Sequence, residues 1–371
     1  MGTTLSAADV QRLMTDPSAE TRTETAAKVA SSFQDGSLGE VEQKLASEIF
    51  RVLAKDAEER VRQALSQNLK NAAGVPADVA VTLAKDISDK VALPIIQFSE
   101  ALSEDDLIDI VRTQAPQRQV AVASREDVTD GVAHVLVDEA DKTAVVALVS
   151  NERVNLSEGV LDKVVETYGE DEDVQRPLVH RPTLPITITE KLVSKLTDEL
   201  KDYLVQHHEL SEETATDLVL QARERATIGL AATYNDETDV EALVRQLHNN
   251  GRLTPSIVFR SLCVGDLVFF ENALAIMADV PLQNARILIH DEGDLGFKSL
   301  YAKGGLPSSL LPAFRTGVSL ARDNEKERTD ADLEQQTRSM LEHILTAHED
   351  VIGRYGEENV DYLLNKFNQV A

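Results

Sequence analysis

Tryptophan is absent, cysteine occurs once, and aromatic residues make up 4% of the 371 positions. With so few large rings, Ala, Val, Leu and Ile must fill any core, which suits small interlocking helices. The lone Cys263 excludes an intrachain disulfide and fits a reducing cytosol. It lies in a mostly apolar stretch, Val258 to Val264, where a buried structural thiol is expected rather than a nucleophile. No apolar run reaches the length of a membrane-spanning helix. The N-terminus lacks the basic-then-apolar order of a secretory signal. Its Met1-Gly2-Thr3-Thr4-Leu5-Ser6 stretch matches the loose myristoylation pattern, which we read as chance.

Positive charge is also scarce. Lys and Arg number 37 against 64 Asp and Glu, a formal net charge of −27. Such a field repels nucleic acid and anionic membrane, because nucleic-acid binding relies on cations that neutralise phosphates. Two readings of the charge stay open: solubility, including adaptation to a salty cytoplasm, and attraction of a basic partner.

What the chain does have is a repeat. Ser103, Thr129, Ser157, Thr187 and Ser211 read as helix starts, spaced by 26, 28, 30 and 24 residues. A period in this range marks a solenoid, whose units bury their apolar faces only by stacking. Thr187 with Glu190 predicts a capping box, and Ser103 with Asp106 a weaker one. Leu102 with Leu107, Leu156 with Leu161, and Leu210 with Ala215 fit hydrophobic staples. Polar pairs punctuate the first helices: Ser66-Gln67-Asn68, Ser99-Glu100, Ser124-Arg125, Ser150-Asn151, His180-Arg181 and His207-His208 are expected to be loops. Val145 to Val149 is rich in β-branched residues but fills a first-helix slot, so it is expected to be helical.

The repeat register fails after Asn235 to Thr238. Helices are expected at about 238–249, 254–263, 265–278, 281–290 and 308–321, with a last pair at about 331–348 and 356–369. Gly304-Gly305 and Pro307 mark a turn. The reading is therefore all-α: N-terminal capping helices over 1–60, a HEAT-like α-solenoid of short helix pairs over 61–235, and a compact C-terminal helical domain over 236–371.

Chemistry-bearing constellations are weak. Adjacent His207 and His208 point about 100° apart on a helix and cannot chelate from one face. His343 and His348 miss the i,i+4 spacing of helical metal ligands. His290, Asp291, Glu292 and Asp294 lack the alternating register of a calcium loop. Glu170 to Asp173 reads as a solvated acidic loop. Gly293, Gly296, Gly304 and Gly305 stand near Lys298 and Lys303 but not in the order of a phosphate-binding loop. We expect no catalytic, cofactor or metal site. The expected docking patch is basic and aromatic: Arg260, Phe269, Phe270, Arg286 and Lys298.

Two segments carry a family resemblance. One is the repeat style, with Leu156-Ser157-Glu158, Leu161 and His180-Arg181-Pro182-Thr183-Leu184-Pro185. The other runs from Leu262-Cys263-Val264-Gly265-Asp266-Leu267-Val268-Phe269-Phe270-Glu271 through Val280-Pro281-Leu282 to His290-Asp291. Together they resemble the bacterial family catalogued as domain of unknown function 2336, over Val91 to Leu230 and Leu253 to Pro307. The resemblance implies HEAT-like helical repeats and a cytoplasmic bacterial protein, and brings no catalytic residues.

The expected function is a non-enzymatic cytoplasmic scaffold or adaptor that binds a protein partner along one helix of each pair. The alternatives are a regulatory protein holding a small anion or nucleotide in the C-terminal domain and, less favoured, a nucleic-acid-binding repeat protein. No membrane association is expected, and homo-oligomerisation stays open.

Overall fold

The computed structural model describes residues 18–326, apart from 35, 37, 209, 210, 235, 292 and 293. The Met1–Ser6 pattern, the expected helices at 331–348 and 356–369, His343, His348, Leu210, Glu292 and Gly293 lie outside the described residues. Among the described residues there are 19 α-helices, one 3-10 turn and no strand. The chain divides into two compact units, Met1–Thr183 and Leu184–Ala371. The repeat register had placed its change later, at 235.

The first unit holds eleven described helices: α1 (Ala19–Gln34), α2 (Glu40–Leu53), α3 (Glu59–Leu69), α4 (Ala77–Ala84), α5 (Asp89–Phe98), α6 (Glu104–Thr113), α7 (Pro116–Ala123), α8 (Asp130–Glu139), α9 (Lys142–Ser150), α10 (Glu158–Tyr168) and α11 (Glu172–Val179). They form two rows. The odd-numbered helices pack each on the next, from α1 through α11. In the other row α2 packs on α4, and α6 on α8 on α10. Successive helices join the rows, as α4 with α5, α6 with α7 and α8 with α9.

The packing code is legible in the residues. Buried apolar side chains recur at i, i+1, i+4 and i+5. In α5 they are Val91, Ala92, Ile95 and Ile96; in α8 Val132, Ala133, Leu136 and Val137; in α9 Ala144, Val145, Leu148 and Val149; in α10 Val160, Leu161, Val164 and Val165. That pairing gives each helix a wide apolar stripe. Fully burying one such large side chain contributes roughly 1.5–3 kcal/mol. Helices of 8–11 residues are too short to persist alone in water. Their stability therefore comes from this stacking.

Caps set where the second-row helices begin. Ser103 Oγ accepts from Asp106 N–H at 3.2 Å while the Asp106 carboxylate takes the Ser103 N–H at 3.0 Å, completing the expected box. Thr129 and Ser157 cap α8 and α10 through Val132 and Val160. The Ser66-Gln67-Asn68 stretch is not a loop, since α3 runs to Leu69 and Ser66 Oγ donates to the Val91 carbonyl at 2.6 Å.

The second unit opens with α12 (Ile186–His208) and α13 (Glu212–Thr233), at least twice the length of α3 to α11. They pack together as a hairpin, then against α14 (Glu237–Asn249) and α15 (Pro255–Cys263) respectively. Next come α16 (Leu267–Met277), α17 (Leu282–His290), α18 (Asp294–Lys303), a 3-10 turn at Ser308–Leu310 and α19 (Leu311–Lys326). One core joins them, with Leu243, Val258, Leu262, Phe269, Phe270, Ala273 and Phe314 all fully or almost fully buried.

Three expectations fail here, the first being that His207-His208 forms a loop, since α12 runs to His208. Thr187 does not cap a helix: α12 starts one residue earlier, its first N–H groups bonding the Pro185 carbonyl, and Thr187 is buried. Glu190, freed from the box, pairs with Arg252 at 2.6 Å and accepts from Gln246 at 2.9 Å. The helix Asp294–Lys303, just before the expected turn at Gly304-Gly305, was not expected.

Candidate interaction surface and buried polar sites

Two ladders of polar contacts tie the first unit together at steps of about 26 to 30 residues, the first ladder skipping one step between Asp86 and Asp141. One stands at helix starts. Asp56, Asp86, Asp141 and Asp171 each take the backbone N–H two residues on, at 2.9 to 3.0 Å. Three of these also receive a cation from the previous odd helix. Arg22 donates to Asp56 twice, at 2.6 and 3.0 Å, and Arg62 to Asp86, at 2.6 and 3.1 Å. Lys142 reaches Asp171 at 3.0 Å and Asp173 at 2.9 Å. At Asp141 the contact is of another kind: the Gln119 side-chain oxygen accepts the Asp141 backbone N–H at 2.9 Å.

Burial opposes ionisation of Asp56 and Asp86, but the arginine hydrogen bonds and local N–H groups outweigh it and hold both below the usual carboxylate range. The Lys142 hydrogen bond does the same for Asp171, and the two aspartates push Lys142 up to about 12.

The second ladder stands at helix ends. A helix leaves its last four carbonyls without intrahelical partners. Here the loop of the next repeat supplies the donors. Arg125, 2% exposed, donates to the carbonyls of Ile96 at 2.5 Å and Ser99 at 2.9 Å, ending α5. Asn151 donates to the Ala123 and Arg125 carbonyls at 3.0 and 2.6 Å, ending α7. Arg181 donates to the carbonyls of Val149 at 2.8 Å, Asn151 at 3.2 Å and Val154 at 2.5 Å, ending α9. These are the second members of the polar pairs Ser124-Arg125, Ser150-Asn151 and His180-Arg181. Spacing located them, but their long-range reach leaves no mark in local sequence.

The exposed surface of this unit is polarised between its rows. In the even row α6 carries Glu104, Asp105, Asp106 and Asp109; α8 carries Asp130, Asp138 and Glu139; α10 carries Glu158, Asp162 and Glu166. The cations of those three helices are Arg112 and Lys163, and each pairs with a neighbouring helix, with Glu139 and Asp138. In the odd row α5, α9 and α11 carry Asp89, Glu172 and Asp173 against Lys90, Lys142 and Arg176, while Arg118 of α7 is buried and paired with Asp89.

In the second unit the five residues of the expected docking patch do not share a surface. Phe269 and Phe270 are 0% exposed and belong to the core, with Phe270 6.2 Å from the Phe314 ring centroid. Arg260 is 4% exposed, against Glu224 at 3.6 Å. Arg286 is part-exposed and bridges Glu271, at 2.7 Å, and Glu237. Lys298 alone among the five is exposed. His290 completes the Arg286 group, with Nε2 2.5 Å from Glu271. Cys263 is buried, and desolvation pushes its thiol up to about 12.

A second buried polar group joins α13 to α15. The Glu224 carboxylate, 3% exposed, accepts from Thr254 at 3.0 Å and from Ser256 at 2.9 Å. Among the described residues no group of three or more His, Cys, Asp or Glu could hold a metal ion. None of the described helices is long and apolar enough to cross a membrane.

Packed short helices in the first unit and a second helical unit make the described residues all-helical. A family model described as "Uncharacterised protein conserved in bacteria (DUF2336)" matches residues 91–353, well over half of the chain. The chain belongs to this family, as the sequence resemblance implied. No curated protein and no solved structure matches it.

Proposed function

We propose that the protein is a non-enzymatic cytoplasmic scaffold or adaptor whose first unit takes a basic protein segment along α6, α8 and α10. The observation behind this reading is the charge division between the two rows. Helices of one array, built on one packing code, differ in charge: the even row is strongly acidic and the odd row is close to balance. A need for solubility alone would spread acidic residues over both rows. Apposed carboxylates on successive helices raise the negative potential along the row and speed encounter with a cationic partner. The partner meets a repeated surface, which suits an extended Lys- and Arg-rich segment.

The test is a triple charge reversal in the full chain, E104K/D105K/D130K, at three exposed positions. Binding of a fluorescent Lys/Arg-rich peptide should weaken at least tenfold and show a steep salt dependence in the unaltered protein. A control reversal at exposed Glu20, Glu24 and Glu40 changes net charge equally and should have a much smaller effect. Equal losses in both variants would reduce the effect to overall charge and overturn the assignment of the row.

A further inference from the structure

Helix α13, the end of α14 and the turn into α15 line a half-open cavity of about 170 Å³ within the second unit. Arg223 and Arg252 both line it, with Thr227, Thr254, Leu220 and Leu247. The local fold places these groups deliberately. Gly251, at φ +66°, ends α14 in a left-handed turn, and the Arg252 N–H then bonds the Leu247 carbonyl at 2.7 Å. That turn brings the Arg252 side chain back beside Arg223. Thr254 and Ile257 belong to the start of α15, so the positive end of its dipole also faces the cavity.

The arginines are incompletely used by the protein. Arg252 binds Glu190 through Nη2 at 2.6 Å. Arg223 makes two long contacts through Nη1, at 3.3 Å to Asp198 and 3.5 Å to Ser194. Each guanidinium carries five N–H donors in a planar fork. The carboxylate in the wall, Glu224, is already engaged by Thr254 and Ser256. Two partly buried cations side by side oppose each other. Burial pushes the Arg252 guanidinium below its ordinary value and the neighbouring Arg223 adds to that, against the pull of Glu190. A dianion between the forks relieves both effects and fits their bidentate geometry.

We infer that this cavity binds a phosphate group, held between Arg223 and Arg252. Its volume exceeds that of a phosphate alone, and Leu220, Leu247 and Ile257 give it an apolar side. A small phosphate monoester therefore fits as well as the free ion. The site is separate from the acidic row and does not depend on it.

The experiment is calorimetric titration of the full chain with inorganic phosphate, glycerol phosphate and phenyl phosphate, against sodium chloride at matched ionic strength. Saturable binding of one or more phosphates, with no response to chloride, is expected. Tighter binding of either ester identifies a phosphorylated organic molecule as the ligand; equal or weaker ester binding identifies the free ion. Arg223→Gln should weaken binding at least tenfold while leaving the circular dichroism spectrum unchanged, since its contacts to Asp198 and Ser194 are long. Leu220→Trp, which fills the cavity without removing an arginine, should weaken it too. Failure of all three phosphates to bind, or full affinity in Arg223→Gln, overturns the proposal. A failure of the acidic row in the peptide assay leaves this result untouched.

Discussion

Arg125 concentrates much of what a single residue contributes to this molecule. Its guanidinium closes two carbonyls at the end of α5 and forms a bidentate pair with Asp127 at 2.7 Å on both arms. Arg125→Ala removes these donors and leaves the carbonyls of Ile96 and Ser99 buried without them. A loss of about 3 kcal/mol is expected, the cost typical of breaking a buried charged network, and urea denaturation measures it. A loss below about 1 kcal/mol would show that water replaces the side chain. The sequence marks Arg125 as polar and places it in a loop, but says nothing of the helix it reaches. Phe269 and Phe270 illustrate the converse. Read as adjacent aromatics near arginines, they suggest a docking patch. Read with the rest of Leu267–Met277, which is apolar on nearly all sides, they belong inside. That all-round pattern was the signal for burial.

Whole helices were more legible than their long-range partners. Ser103, Thr129, Ser157, Ser211 and Thr254 cap as their types predict, because a cap is a contact within four residues. Thr187 fails because Pro185 already starts the helix and Glu190 is drawn to Arg252, a partner no local pattern contains. The helix at Asp294–Lys303 went unread, although Phe297, Leu300 and Tyr301 stand at helical spacing and are buried. Helix starts also fix the acid response. Asp56, Asp86 and Asp171 have folded pKa values below the ordinary one. A carboxyl depressed by folding contributes fully above its unfolded pKa, near 4, and loses that contribution as pH falls through the folded value. Thermal melts of the full chain should therefore be flat from pH 7 to about 5 and fall steeply below about 4. Replacing Asp86 by Asn should flatten the acid limb at the expense of stability at neutral pH; an unaltered limb would assign it to other carboxylates.

At the scale of the whole molecule, the helical class was visible in spacing, whereas the division into units was not. The spacing of helix starts carries on through Thr187 and Ser211, so sequence sees no break at 183. The break is one of length and partners: α12 and α13 double in size and turn to α14 and α15. Cutting at 183–184 keeps Glu224 with Thr254 and Ser256, while cutting at 235 separates them. A fragment of residues 184–371 should melt cooperatively, and one of residues 236–371 should not, since it bares the faces that cover Val258 and Leu262. Equal cooperativity in circular dichroism melts would place the boundary at 235 instead.

The ladder at the helix ends has a consequence for how such a chain is made and how it changes over generations. Each odd helix from α5 to α9 is finished by a residue that lies in the following repeat. During synthesis the most recent of these helices is always incomplete until the ribosome has delivered another 26 to 32 residues. In the gene, a duplication or deletion of one full period leaves every remaining helix followed, at the same distance, by the donor of the next repeat. Changes of any other length strand a helix end. Arrays built this way can grow or shrink only in whole steps.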